Sequence, residues 1–231
     1  MELSFDHGFA FILEADTERV FYDALLHFFA QKHPECILTE AIDTDNFERY
    51  YTVCGPFGSH IVRMNSVGTI TQIHNSLSWY RNKCTGSKGK SFPWTVFLCY
   101  DTDSYNADVT KFYEGDWKNF RQQLERGRTS EVLDLAANAE IEDIFLQDLH
   151  GISEFMGLNS DLQPSDMPSG RKGSARLKQL FITQRKLGTT NKSYHKGERA
   201  RELIGCLDLQ KIVDTSPIPL NLIEKIFSNE F

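Results

Sequence analysis

The chain of 231 residues has no apolar run close to the roughly 18 residues that a membrane-spanning helix needs. Its N-terminus carries Glu2 and Asp6 where a signal peptide would be basic, so a cytoplasmic protein without membrane contact is expected. Cysteine is sparse and scattered. Cys36, Cys54, Cys84, Cys99 and Cys206 are odd in number and form no C-x-x-C pair, which argues against a disulfide scaffold and against zinc. A phosphate-binding loop is missing as well: T-G-S-K-G-K-S at 85–91 lacks the G-x-x-x-x-G-K-[ST] spacing and precedes a strand instead of following one. There is no internal repeat. Positive charge is not in excess, since 32 acidic against 25 basic residues give −7, which argues against a passive nucleic-acid coat protein.

The charge is nevertheless uneven. Residues 171–201 hold ten Lys and Arg, among them Arg171, Lys172, Arg176, Lys178, Arg185 and Lys186, against the single acid Glu198. An acidic body with one basic segment suits an enzyme acting on polyphosphate, and it equally suits a solvated helical face.

The stretch W-T-V-F-L-C-Y-D-T-D at 94–103 organises the rest. Thr95 to Tyr100 is an unalternating run of β-formers, the pattern of a strand covered on both faces of a parallel sheet. Asp101 and Asp103 follow at i and i+2, so on extended chain both project to one side. The carboxyl end of such a strand is where open α/β sheets bind ligands. Two close carboxylates repel unless a cation lies between them, and hard oxygen ligands suit Mg²⁺ or Mn²⁺. The alternative is an Asp-rich turn with no ligand.

Gly8 to Leu13 reads as a second buried strand, closed by Glu14. Asp16 is placed to cap a helix whose buried face is Val20, Phe21, Ala24, Leu25, Phe28 and Phe29. Further strands are expected near 36–39, 60–64 and 130–135, and helices over 69–81, 116–126, 140–157, 175–185 and 197–207. The segment 47–54 is ambiguous between strand and helix. Strands alternating with helices predict an α/β fold with a mostly parallel sheet flanked by helices. Residues 1–158 form its core, and a Ser-, Pro- and Gly-rich loop then leads into a basic helical extension over 159–231. If the Glu14 and Asp101 strands are neighbours, three carboxylates converge at one rim.

The helix over 140–157 adds a fourth acid. Glu142 stands at i+3, i+4 and i+7 from Phe145, Leu146 and Leu149, beside the apolar stripe, where an acid needs a metal or a lysine as partner. The alternative is an acid favoured by the helix N-terminus. Asp143 falls on the polar face, and Asp148 is expected to be exposed.

The order F-I-L-E-A-D-T-E at 11–18, V-F-L-C-Y-D-T-D at 96–103 and E-I-E-D-I-F-L-Q-D at 140–148, with Y-H-K-G-E-R at 194–199, resembles TOPRIM domains. The likeness is to stand-alone relatives of the overcoming-lysogenisation-defect nucleases and to phage-defence effectors. It implies a TOPRIM-like fold and Mg²⁺-dependent endonuclease cleavage of DNA or RNA in antiphage defence. Asp101 and Asp103 would be metal ligands, Glu14 a ligand or general base, and Glu142 would hold or orient a second metal. Lys196 would act as a point charge on the scissile phosphate. The resemblance also implies an ATPase partner of the ABC or AAA type and admits a homodimer. Ala15 departs from the glycine that most members carry. It is the best argument for an alternative, an inactive module that binds nucleic acid or regulates. A phosphatase of small nucleotides is a third reading.

Overall fold

The structure, a computed structural model, describes residues 4–43, 47–86, 92–102, 114–170 and 172–228. Six strands form one sheet: β1 (His7–Leu13), β2 (Ile37–Ile42), β3 (Arg49–Gly55), β4 (Gly58–Ser66), β5 (Trp94–Asp101) and β6 (Thr129–Ala137). Their spatial order is β2-β3-β4-β1-β5-β6. The four strands β4, β1, β5 and β6 run parallel, and β2 and β3 add an antiparallel margin. This is the expected α/β architecture, a mostly parallel sheet flanked by helices. The ambiguous 47–54 segment is β3.

β1 and β5 lie side by side, with Leu13 opposite Cys99, so their carboxyl ends form one rim. Both are buried along their whole length. Side chains alternate between two cores. Phe9, Phe11, Leu13, Phe97 and Cys99 face α1 (Asp16–Lys32), while Ala10, Ile12, Val96 and Leu98 face Ile73, Tyr80, Phe120 and Leu124 on the other side. Gly8 lets β1 approach β5, because a Cβ there would strike the Trp94 ring. The period-two rule continues to the strand tip: Asp101 follows Phe97 and Cys99 onto the α1 face.

The second face is covered by a 3-10 turn (Ile70–Asn75), α2 (Ser76–Tyr80) with a π-turn after it, and α3 (Glu114–Leu124). The apolar periodicity over 69–81 thus marks the buried side correctly, but the backbone there is not the single helix it predicts. The α1 face is completed by α4 (Glu142–Phe145), α5 (Leu149–Met156), α6 (Gly173–Lys186), α7 (Arg201–Ile204), α8 (Leu209–Thr215) and a 3-10 segment at Leu220–Phe227. Leu177, Leu180, Phe181, Leu203, Ile204, Ile223 and Phe227 share one apolar core with β1 and α1. Among the described residues no helix is long and apolar enough to cross a membrane.

Two local expectations are corrected. Asp16 is not a cap: the helix is preceded by Ala15 and has no side-chain cap. The helix expected over 140–157 is broken into α4 and α5 at Asp148, which is only 2% exposed instead of solvated. Its carboxylate accepts the Gly151 N–H at 3.2 Å and the Asp208 N–H at 2.8 Å, and pairs with Lys211 Nζ at 3.2 Å. An Asp that satisfies its own following turn competes with a continuing helix. Asp148→Ala is expected to cost about 2–4 kcal/mol, because it strands two amide donors and a charge partner. Urea denaturation of the purified variant measures this, and an unchanged midpoint would count against the role.

Candidate functional site

Glu14 ends β1 and Asp101 ends β5, so the sheet register alone brings them together. The Glu14 carboxylate accepts the Asp101 N–H at 2.9 Å, and Asp101 Oδ1 accepts the Ile141 N–H at 2.8 Å. That second bond ties the strand tip to the start of α4. The turn between β1 and α1 passes through Ala15 at φ −147° and ψ 179°, extended backbone open to any residue. The departure from glycine at Ala15 therefore imposes no strain and no displacement of the site.

The first turn of α1 brings in Glu18. One oxygen each of Glu14, Glu18 and Asp101 lie within 4.8 Å of one another, and all three residues are buried. Sequence reasoning missed Glu18, although a signal existed: it stands at i+3, i+4 and i+7 from Phe21, Tyr22 and Leu25, the placement that singled out Glu142. Asp103 lies outside the described residues, as does Arg171.

Glu142 completes the floor of the site and is wholly buried. Its Oε1 accepts the Tyr194 hydroxyl at 2.6 Å and lies 3.2 Å from Lys196 Nζ. Lys196 also reaches Glu140 at 3.8 Å, and its side chain stays 45% exposed. α4 is held in place from below by α6. Asp143 accepts the Gly173 N–H at 3.1 Å, Glu140 accepts the Ser174 N–H at 2.8 Å, and a Cβ on Gly173 would strike the Asp143 backbone. Asp143, expected on the polar face of its helix, is thus part of this junction.

The electrostatics are those of a site short of positive charge. Burial, then the charges of Glu18, Glu14 and Glu142, push Asp101 from 3.8 up to about 9. Burial, with Glu14 and Glu142, pushes Glu18 from 4.5 up to about 7. Burial pulls the Lys196 ammonium down, but Glu142 and Glu140 outweigh it and hold its pKa above the usual lysine value. Glu18 Oε2 and Glu142 Oε2 are buried with no hydrogen-bond partner among the described residues. Unpaired buried carboxylate oxygens are costly. Hard oxygen donors with unsatisfied lone pairs fit a divalent cation of the Mg²⁺ or Mn²⁺ kind.

The basic residues divide. Arg176 is built into the fold, donating to Pro168 O at 3.0 Å and to Asp143 at 3.4 Å. Lys178, Arg185 and Lys186 are exposed on α6, with Lys178 and Arg185 seven residues apart on one face, and Lys172 precedes the helix, half-buried. His195 is exposed.

No known family model and no curated protein matches the chain. Among solved structures it is similar to the 5'-methylthioadenosine/S-adenosyl homocysteine nucleosidase of Campylobacter jejuni, at 12% identity over 96% of this chain and 100% of that one. The TM-score is 0.28, too low to bear on function. The TOPRIM resemblance drawn from the sequence is corrected, since no known family model carries it. The antiphage role and the ATPase partner rest on that resemblance alone.

Proposed function

We propose that the chain is a divalent-metal-dependent hydrolase that cleaves phosphodiester bonds of DNA or RNA at the rim formed by β1, β5 and α4. The observation that supports this best is the pair of buried, unpartnered carboxylate oxygens on Glu18 and Glu142, beside Glu14 and Asp101. Four buried acids with one lysine among them call for a further cation. Glu14, Glu18 and Asp101 would hold the metal, with Glu142 near enough for its charge to act on both Glu18 and Asp101. When bound, Mg²⁺ or Mn²⁺ supplies charge neutralisation at the phosphoryl oxygens and acidifies water.

The chain's own residues divide the remaining work. The Ile141 N–H keeps one Asp101 oxygen occupied and so orients the carboxylate. Lys196, held charged by Glu142 and Glu140, offers a positive group at the site's edge for a phosphate oxygen. Exposed Lys178, Arg185 and Lys186 on α6, whose start is bonded to Glu140 and Asp143, would attract a polyanion.

The test is cleavage of supercoiled plasmid and of a structured RNA by purified protein with Mg²⁺ or Mn²⁺. Glu18→Gln is expected to lower the rate on the order of 10²-fold, since it removes a charged donor but keeps the side-chain shape. A rate that survives Glu18→Gln, or no cleavage of either polymer with either metal, would count against the reading.

A further inference from the structure

Glu142 presents two unlike oxygens. Oε1 takes the Tyr194 hydroxyl at 2.6 Å and the Lys196 ammonium at 3.2 Å, while Oε2 is buried and has no partner among the described residues. A carboxylate free to rotate would distribute its bonds over both oxygens. Some group therefore has to decide which oxygen stays open.

Lys196 is poorly suited to that task. Its side chain is 45% exposed, it divides its contacts between Glu142 and Glu140, and it sits on a flexible stem. Tyr194 is 5% exposed, and its ring packs beside Phe181 with centroids 6.4 Å apart, so the hydroxyl has one place to be. Its segment is pinned on both sides. Thr190 Oγ1 donates to Met156 O at 2.6 Å, and the Gly197 N–H donates to Thr17 Oγ1 at 2.8 Å, at the start of α1. Burial and the neighbouring Glu142 charge raise the phenol well above its usual range, so it remains a donor wherever the protein is folded.

We propose that Tyr194 is a positioning residue that locks Glu142 by its Oε1 and so presents Oε2, ready oriented, to a divalent cation. The inference rests on the metal reading above and adds to it the residue that sets the ligand's orientation. A fixed hydrogen bond behind a ligand carboxylate is worth roughly 10–100-fold in metal affinity where it has been removed.

The experiment is Mn²⁺ titration of wild type and Tyr194→Phe, with free Mn²⁺ read by electron paramagnetic resonance and no substrate present. Tyr194→Phe is expected to weaken Mn²⁺ binding about 10–100-fold while leaving the melting temperature of the metal-free protein within a few degrees of wild type. A double-mutant cycle with Glu142→Gln separates positioning from general loosening. In the Glu142→Gln background the loss of the Tyr194 hydroxyl is expected to have no further effect on affinity. Unchanged Mn²⁺ affinity in Tyr194→Phe, or additive losses in the cycle, overturns the inference and leaves the metal reading standing. A wild-type protein that binds no Mn²⁺ overturns the metal reading, and this inference with it.

Discussion

Asp101→Asn is expected to abolish metal-supported cleavage, by on the order of 10³-fold or more, while making the metal-free protein more stable. The first effect follows from removing a charged oxygen ligand at the point where the rim acids meet, since each 1.36 kcal/mol lost from transition-state stabilisation is about tenfold in rate. The second follows from the same geometry read without metal. Asn keeps an oxygen that can accept the Ile141 N–H, so the strand tip stays attached. It removes a buried group whose ionisation Glu18, Glu14 and Glu142 oppose. At pH 8 the gain is expected to be about 2–4 kcal/mol. Plasmid cleavage and urea denaturation in chelator, run on one preparation, measure the two effects. A variant that is inactive because it is unstable would contradict the second and remove the support for the first.

The second large effect is the response of wild type to metal and pH. A carboxylic acid whose pKa is raised on folding binds more protons in the native state than in the unfolded chain. Its contribution is therefore lost as pH rises from the ordinary to the raised value. For Glu18 that window runs from 4.5 to about 7, and for Asp101 from 3.8 to about 9. His7 works in the opposite sense. Burial, with the neighbouring His60, lowers it from 6.5 to about 4, so the unfolded chain binds the extra proton and stability is lost as pH falls through that interval. Above pH 6.5 His7 no longer opposes the acids. His33, raised against burial by Glu224 and Glu35, and His150, raised by Asp161, act in the same sense as the acids. The metal-free protein should therefore lose stability steadily toward pH 9. Saturating Mn²⁺ should reverse this loss. At a hundred times its dissociation constant it contributes about 2.7 kcal/mol, or roughly 5–10 °C in melting temperature for a chain of this length. The rise should shrink toward about pH 5, where protons already neutralise Asp101 and Glu18. A metal-induced shift that is the same at about pH 5 and pH 8 would place the metal elsewhere.

The parts of this arrangement that depend on near neighbours in sequence are legible in it. The unbroken apolar runs of β1 and β5 name the two central strands, and Glu14 and Asp101 at their tips name the rim. Glu142 stands out as an acid on the wrong side of its helix. The same spacing rule applied to α1 points to Glu18, which a search confined to strand ends passes over. Asp148 misleads because a periodic apolar stripe on both sides conceals a break that Asp208 and Lys211, 60 and 63 residues on, help to stabilise. Tyr194 has no local signal at all. Its role depends on a bond to a residue 52 positions earlier, which no periodicity can report. The family resemblance rests on short motifs in order, and order alone does not carry the assignment.

The last third of the chain returns to the first helix. Gly197 bonds Thr17, Arg201 pairs with Asp23, and Glu198 pairs with Arg19, contacts that span 178 to 180 positions. During synthesis, at roughly 5–20 residues per second, the acids at 14, 18, 101 and 142 leave the ribosome well before the segment that brings Tyr194 and Lys196 to them. A nascent chain therefore carries the four acids without Tyr194 and Lys196 until that later segment has followed them out, so the centre is completed only after the fold's central strands.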